Sequence, residues 1–177
     1  MRVIGLAGWS GAGKTTLLMR LIPLLKAQGL TVSTVKNAHH GFDLDRPGKD
    51  SHNHRLAGAN EVLVSSANRW ALMHELRGAP EPSLADLLPK LAPVDLVLVE
   101  GFRRSDLPKI EVHRAANGKP FLHPDDPGVL AVITDVPGPA ISLPSVHLDD
   151  IEAAAALVTA HSAPLDEALA RLAASRG

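Results

Sequence analysis

The sequence predicts an α/β fold of three layers, with a mostly parallel central sheet, helices on both faces and extra antiparallel strands. Three observations carry this. Strand-like and helix-like segments alternate through the first hundred residues. The run Val94-Asp95-Leu96-Val97-Leu98-Val99 is nearly continuous in apolar residues, as a strand buried on both faces must be. A glycine-rich turn joins the first apolar run directly to the first helical segment.

In chain order, Val3 to Ala7 reads as a short buried strand ending in glycine. From Thr15 to Gln28, Leu17, Leu18, Leu21, Leu24 and Leu25 recur at helical spacing, and Gly29 suits the left-handed stop position. Pro23 inside this helix is expected to bend or loosen one turn, because it lacks a backbone donor and crowds the carbonyl of Met19. Leu30 to Val35 is a second strand by its β-branched content. A long polar segment, Lys36 to Ser51, follows, and loops of that length tend to be functional or disordered. A short helix is expected within Ser51 to Ala59, then a strand pair, Glu61 to Ser65 with Arg69 to Met73, and a modest helix from Ser83 to Leu91. Val94 to Val99 is the most β-like run and ends in Glu100-Gly101. Lys109 to His113 and Val129 to Thr134 read as strands, and Ile151 to Ala160 and Leu165 to Ala174 as two helices that close the domain. Eleven of the fourteen prolines lie between Pro80 and Pro144, so the second half is rich in loops. No boundary is long enough to split the chain, and a single domain over residues 1–177 is expected.

Composition removes several classes of function. Eighteen basic residues against nineteen acidic ones give no field to hold a polyanion, so nucleic-acid binding is not expected. The absence of cysteine excludes disulfides, thiolate metal ligands and a cysteine nucleophile. No apolar stretch approaches the roughly 20 residues of a membrane-spanning helix. The N-terminal residues run straight into a strand rather than a signal-type segment, so a cytoplasmic protein with no membrane partner is expected.

The segment Gly8-Trp9-Ser10-Gly11-Ala12-Gly13-Lys14-Thr15 matches G-x-x-x-x-G-K-[ST] between a predicted strand and a predicted helix, the context this phosphate-binding motif requires. At average residue usage the match arises by chance in roughly one chain in two hundred of this length, before that context is imposed. Glycines at 8, 11 and 13 permit a tight turn whose N–H groups point inward at phosphate oxygens, assisted by the positive end of the helix. Lys14 reaches the outer phosphates, the Thr15 hydroxyl is placed to ligate Mg²⁺, and Thr16 meets the inner phosphate. The expected nucleotide-binding set is Gly8, Ser10, Gly11, Ala12, Gly13, Lys14, Thr15 and Thr16, and the expected ligand a nucleoside triphosphate.

Such a site needs an acid at the end of a neighbouring strand to hold the metal shell or orient water. Glu100 occupies that end, whereas Asp95 lies at the other, about 16 Å away at strand rise. Glu100 is therefore assigned, with Thr15, to the metal. The polar loop adds Asp43, Asp45 and Asp50, and because ligands in such sheets bind beyond the carboxyl ends of strands, Asp43 is the first choice for an outer metal ligand or water-orienting group. Four of the nine histidines, His39, His40, His52 and His54, fall within sixteen residues. Imidazoles so gathered suit Ni²⁺ or Zn²⁺, although none form a tight pair at i, i+4 spacing. Ile133-Thr134-Asp135 is a possible guanine-reading turn, since a carboxylate can accept from the guanine N1–H and N2 amine; an ordinary strand-end turn is equally consistent.

The run Val35 to Ser51, then His54-Arg55-Leu56-Ala57-Gly58-Ala59, Leu98-Val99-Glu100-Gly101-Phe102 and Pro108-Lys109-Ile110-Glu111-Val112, resembles the signature of the molybdopterin-guanine dinucleotide biosynthesis adapter protein B family. With the phosphate loop, the resemblance covers most of residues 1–135. It implies a P-loop nucleotide-binding fold and a homodimer that binds GTP with Mg²⁺ and hydrolyses it weakly. It further implies an accessory role to molybdopterin guanylyltransferase, the enzyme that joins GMP to molybdopterin, with molybdopterin or the finished molybdenum cofactor as a possible further partner. Family matches support the phosphate-loop roles and Glu100 over Asp95. Asn37 stands where that family commonly has histidine, and Arg103 where it often has lysine. Two other functions fit the residues: a small-molecule ATP-dependent kinase with Asp43 as base, and a nickel or zinc chaperone GTPase using His39 and His40.

Overall fold

The computed structural model describes residues 1–38, 42–138 and 141–174. The chain forms two compact units, residues 1–37 with 84–177, and residues 38–83. In the first unit, strands β1 (Arg2–Ala7), β2 (Val32–Lys36), β5 (Leu96–Glu100), β6 (Lys109–His113), β7 (Val129–Thr134) and β8 (Ser145–His147) lie in the order β2-β5-β1-β6-β7-β8, all parallel. A two-residue strand, β9 (Ala163–Pro164), runs antiparallel to the start of β1, with Val3 opposite Ala163.

Alternation along the strands builds two cores. Ile4, Leu6, Leu96, Leu98, Ile110 and Ile133 face helices α1 (Lys14–Ala27) and α4 (Ile151–His161), meeting Leu17, Leu21, Leu25, Ala154 and Val158. Val3, Val97 and Val99 point the other way, onto α3 (Leu84–Leu87) and α5 (Leu165–Ala174), where they meet Leu84, Leu88, Ala168 and Leu172. Strands β1 and β5 are therefore covered on both faces, which is why they read as apolar runs.

Three local differences from the sequence reading have physical causes. Helix α1 remains a single helix through Pro23, because the fully buried Leu21 and Leu25 flank the turn that the missing amide weakens. Strand β2 begins at Val32 rather than Leu30: Gly29 takes φ +87° and donates to the Lys26 carbonyl while Leu30 donates to Leu25, a two-bond helix stop that consumes Leu30. The helix expected over Ser83 to Leu91 is one turn of α3 followed by a 3₁₀ turn, Leu88–Lys90, since Pro89 cannot donate to an α-helical ladder. Strands β8 and β9 are too short to announce themselves by periodicity.

The second unit contains helix α2 (Asp50–Leu56) and an antiparallel hairpin, β3 (Glu61–Ser65) with β4 (Trp70–His74), in the register Leu63 opposite Leu72. Asp43, Asp45 and Glu75 converge on the Arg55 side chain, which tie the loop, helix and hairpin together. Leu63, Trp70 and Leu72 of the hairpin are exposed. Among the described residues, no helix is long and apolar enough to cross a membrane.

Candidate functional site

The site lies where β1 hands over to α1. Gly8, Gly11 and Gly13 have φ of +151°, +80° and +96°, so the turn between strand and helix uses backbone conformations that side chains disfavour. At Gly8 space is also decisive, because a Cβ there would lie 2.4 Å from the carbonyl oxygen of Val112 on β6. The loop and β6 are therefore packed backbone to backbone. Gly13 caps α1, and its carbonyl accepts the first helical hydrogen bond from Leu17, leaving the N–H groups at the helix start without helical partners.

Lys14 folds over the loop and donates to the carbonyl oxygens of Gly8 at 2.7 Å and Trp9 at 3.0 Å. Burial holds its ammonium below the ordinary lysine pKa; the nearby Glu100 opposes that shift and Lys36 adds to it. The Thr15 hydroxyl donates to Glu100 Oε1 at 3.5 Å, and Lys36 Nζ lies 3.9 Å from Glu100 Oε2. Strand register explains this gathering: Glu100 is the last residue of β5, paired with Leu6 of β1 and with Lys36 of β2. A hydroxyl and a carboxylate thus face each other beside a phosphate-type loop. That is a donor set of hard oxygens, which suits Mg²⁺.

Asp95 does what its position suggests. Its carboxylate accepts from the Thr31 amide at 2.8 Å and the Thr31 hydroxyl at 2.6 Å, bonds that pull its pKa below the usual carboxylate value and pin the start of β5 to β2. Asp43 accepts both oxygens' worth of bonds from Arg55, at 3.0 and 3.1 Å, and one from the Asp45 amide. The amide first, then Arg55, keep Asp43 ionised well into acid. Asp45 accepts from Ser51, and Asp50 opens α2. His39 and His40 lie outside the described residues. Among the described residues, no three His, Asp or Glu side chains are grouped to hold a metal ion. His113 is buried, hydrogen-bonded to Thr134 and to the Lys119 carbonyl, and stacked on Phe121.

Asp135, the residue considered for guanine, accepts the Ala115 amide on Oδ1 at 2.8 Å, and that bond lowers its pKa. One of the two oxygens a base-reading carboxylate would present is thus committed to the turn after β6.

Several side chains around the loop carry no motif. Asn117 Nδ2 donates to the Ser10 carbonyl at 2.9 Å, and a Cβ on Gly11 would lie 3.1 Å from Asn117 Oδ1. Arg114 reaches the loop at Gly13. The Trp9 indole donates to the Pro120 carbonyl, and the Arg103 guanidinium lies 4.2 Å from the ring centroid, linking the phosphate loop to the segment beyond Glu100. Glu111, fully buried on β6, accepts the Leu122 and His123 amides and so fixes the loop before β7. The one sequence signal available for Arg114 and Asn117 is position: both follow the carboxyl end of a strand adjacent to β1.

Residues 3–135 match the profile of the family described as "Molybdopterin guanine dinucleotide synthesis protein B". The chain is 44% identical over 138 residues to the molybdopterin-guanine dinucleotide biosynthesis adapter protein of Escherichia coli K12, covering 76% of this chain and 79% of that one. It is likewise 44% identical over 138 residues to the protein of that name from Haemophilus influenzae, covering 76% and 75%. A crystal structure of molybdopterin-guanine biosynthesis protein B superposes with a TM-score of 0.71 at 25% identity over 89% of this chain and 98% of that one. The Bacillus subtilis MobB structure shares the fold, with a TM-score of 0.69 at 24% identity over 91% and 98%. A phosphate loop sealed against β6, an acid at the end of β5 and a profile match spanning both lead to one statement: this chain belongs to the molybdopterin guanine dinucleotide synthesis protein B family.

Proposed function

We propose that this protein is a GTP-binding adapter in the biosynthesis of the guanine dinucleotide form of the molybdenum cofactor, working beside the guanylyltransferase that attaches GMP to molybdopterin. The observation that carries the nucleotide part is the meeting of Lys14, Thr15 and Glu100 over a loop of positive-φ glycines. The names of the 44% identical relatives support the pathway.

In this reading the triphosphate lies on the loop amides with Lys14 on its outer phosphates. Thr15 and Glu100 would hold Mg²⁺, which, when bound, neutralises charge on the phosphate oxygens. Glu100 is the acid assigned to water positioning. Hydrolysis is slow and secondary to the switching of a binding surface. A cytoplasmic homodimer completes the reading, and the exposed apolar residues of the β3–β4 hairpin supply surface for self-association.

Competition of GTP against ATP for the purified protein, followed by capture of the guanylyltransferase in each nucleotide state, tests the proposal. Lys14→Ala is expected to abolish nucleotide binding while the fold survives. Unchanged GTP affinity in that variant would reject the site, and steady turnover of a metabolite with ATP would favour a kinase instead.

A further inference from the structure

The turn that follows β6 presents an arginine to the phosphate loop. Arg114 is the first residue past β6, next to the carboxyl end of β1. A Cβ built on Gly13 would sit 3.5 Å from its Nη2 and 3.8 Å from its Nε, so the guanidinium lies directly against the glycine that opens α1. The turn that carries it is held by three bonds. The Arg114 carbonyl accepts the Asn117 amide, Asn117 in turn bonds the Ser10 carbonyl of the loop, and the next residue, Ala115, donates to Asp135. Immediately upstream, His113 is buried and hydrogen-bonded at both ring nitrogens. Among the described residues, by contrast, the exposed guanidinium has neither a hydrogen bond nor an ion pair. The backbone is fixed, while the charge feels Asp135 only at longer range and its donors stay open.

The side of the loop matters. Glu100 and Thr15 stand on the β5 side of β1, and Arg114 stands on the β6 side. A triphosphate whose metal-bound outer end is at Thr15 and Glu100 must extend its inner end toward the opposite flank. We infer that Arg114 binds the inner, α-phosphate end of the nucleotide, a specificity-independent anchor for diphosphate and triphosphate alike rather than a finger acting on the transferred phosphate. A planar, permanently charged fork with free donors suits that task. This inference rests on the phosphate-loop reading above.

The test is calorimetric binding of GDP and of GTP, each with Mg²⁺, to wild type, Arg114→Ala and Arg114→Lys, with single-turnover hydrolysis at saturating GTP. Loss of a charge-assisted hydrogen bond should weaken GDP and GTP by the same factor, roughly tenfold to a hundredfold, with the hydrolysis rate within twofold of wild type and Arg114→Lys between the two. An effect confined to GTP, or a large fall in the hydrolysis rate, would make Arg114 a finger and overturn the assignment. Unchanged affinities in Arg114→Ala would also overturn it. If wild type binds neither nucleotide, the phosphate-loop reading itself fails, a result distinct from either. Because the side chain is exposed, the variant should melt with wild type, and a thermal scan confirms that binding is being compared between folded proteins.

Discussion

Replacing Gly8 by alanine should damage both stability and nucleotide binding, and the structure sets the size of the damage. The added Cβ would stand 2.4 Å from the Val112 carbonyl oxygen, about 1 Å inside the ~3.3 Å at which such atoms ordinarily meet. Val112 is buried in a strand paired on both sides, so its carbonyl has no room to yield. Overpacking of this kind costs about 1–3 kcal/mol, and a side chain at positive φ adds about 1–2 kcal/mol. The total, about 2–5 kcal/mol, corresponds to a fall in Tm of roughly 5–20 °C for a chain of this size. Gly29 provides the control: its φ is +87°, but nothing lies within 4 Å of its missing Cβ, so Gly29→Ala should lose only the conformational part, about 1–2 kcal/mol. Chemical denaturation of both variants, with GTP titrations, separates the terms. Gly8→Ala should lose at least tenfold in GTP affinity, about 1.4 kcal/mol, and Gly29→Ala none. If the two variants are equally stable and bind GTP alike, the steric account of the loop is wrong.

Three further outcomes are expected. Glu100→Ala should lower the slow hydrolysis rate more than GTP affinity in a single-turnover assay, and an unaltered rate would remove its assigned role. Since burial depresses the Lys14 pKa, GTP affinity should decline with rising pH at values below those of an ordinary lysine near 10.5. Phosphate restores the charged form, so binding should take up protons on that alkaline flank, measurable by calorimetry in buffers of different ionisation enthalpy. Lys109, only 4% exposed, donates to the Arg103 and Ser105 carbonyls and to Asp126. Lys109→Met should therefore cost about 2–3 kcal/mol in denaturant melts, less than a fully buried pair because Asp126 retains some solvent; a cost under about 0.5 kcal/mol, the range of ordinary surface changes, would show that this cradle does not secure the loop.

The sequence was most legible where one physical requirement acts alone. The glycines of the phosphate loop, the apolar runs of β1 and β5 and the leucines of α1 each answer to a single demand, and their elements lie within two residues of the expected positions. Glu100 could be chosen over Asp95 because the two ends of a strand face different surroundings, and Asp95 indeed serves Thr31. Roles set by tertiary neighbours stayed hidden. Glu111 alternates with apolar residues and reads like a solvated position, yet it is fully buried because two loop amides come to it from Leu122 and His123. Arg114 and Trp9 acquire meaning only once β6 lies beside β1. Strands β8 and β9 exist because the sheet edge and the β1 start offer partners, a fact no local pattern records.

The clasp between β9 and β1 has a consequence for how the chain comes into being. Arg2–Ala7 is made before its neighbours in the sheet, Leu96–Glu100, Lys109–His113 and finally Ala163–Pro164, with Arg2 bonded to Ser162 and the Leu165 amide to Met1. Strand β1 therefore waits for its pairing partners: α1 follows it at once on one face, but α4 and α5, which complete the cover of its two faces, come only after the strands beside it. Non-local pairing of this kind slows folding, so closure of β9 on β1 is expected to be among its late steps.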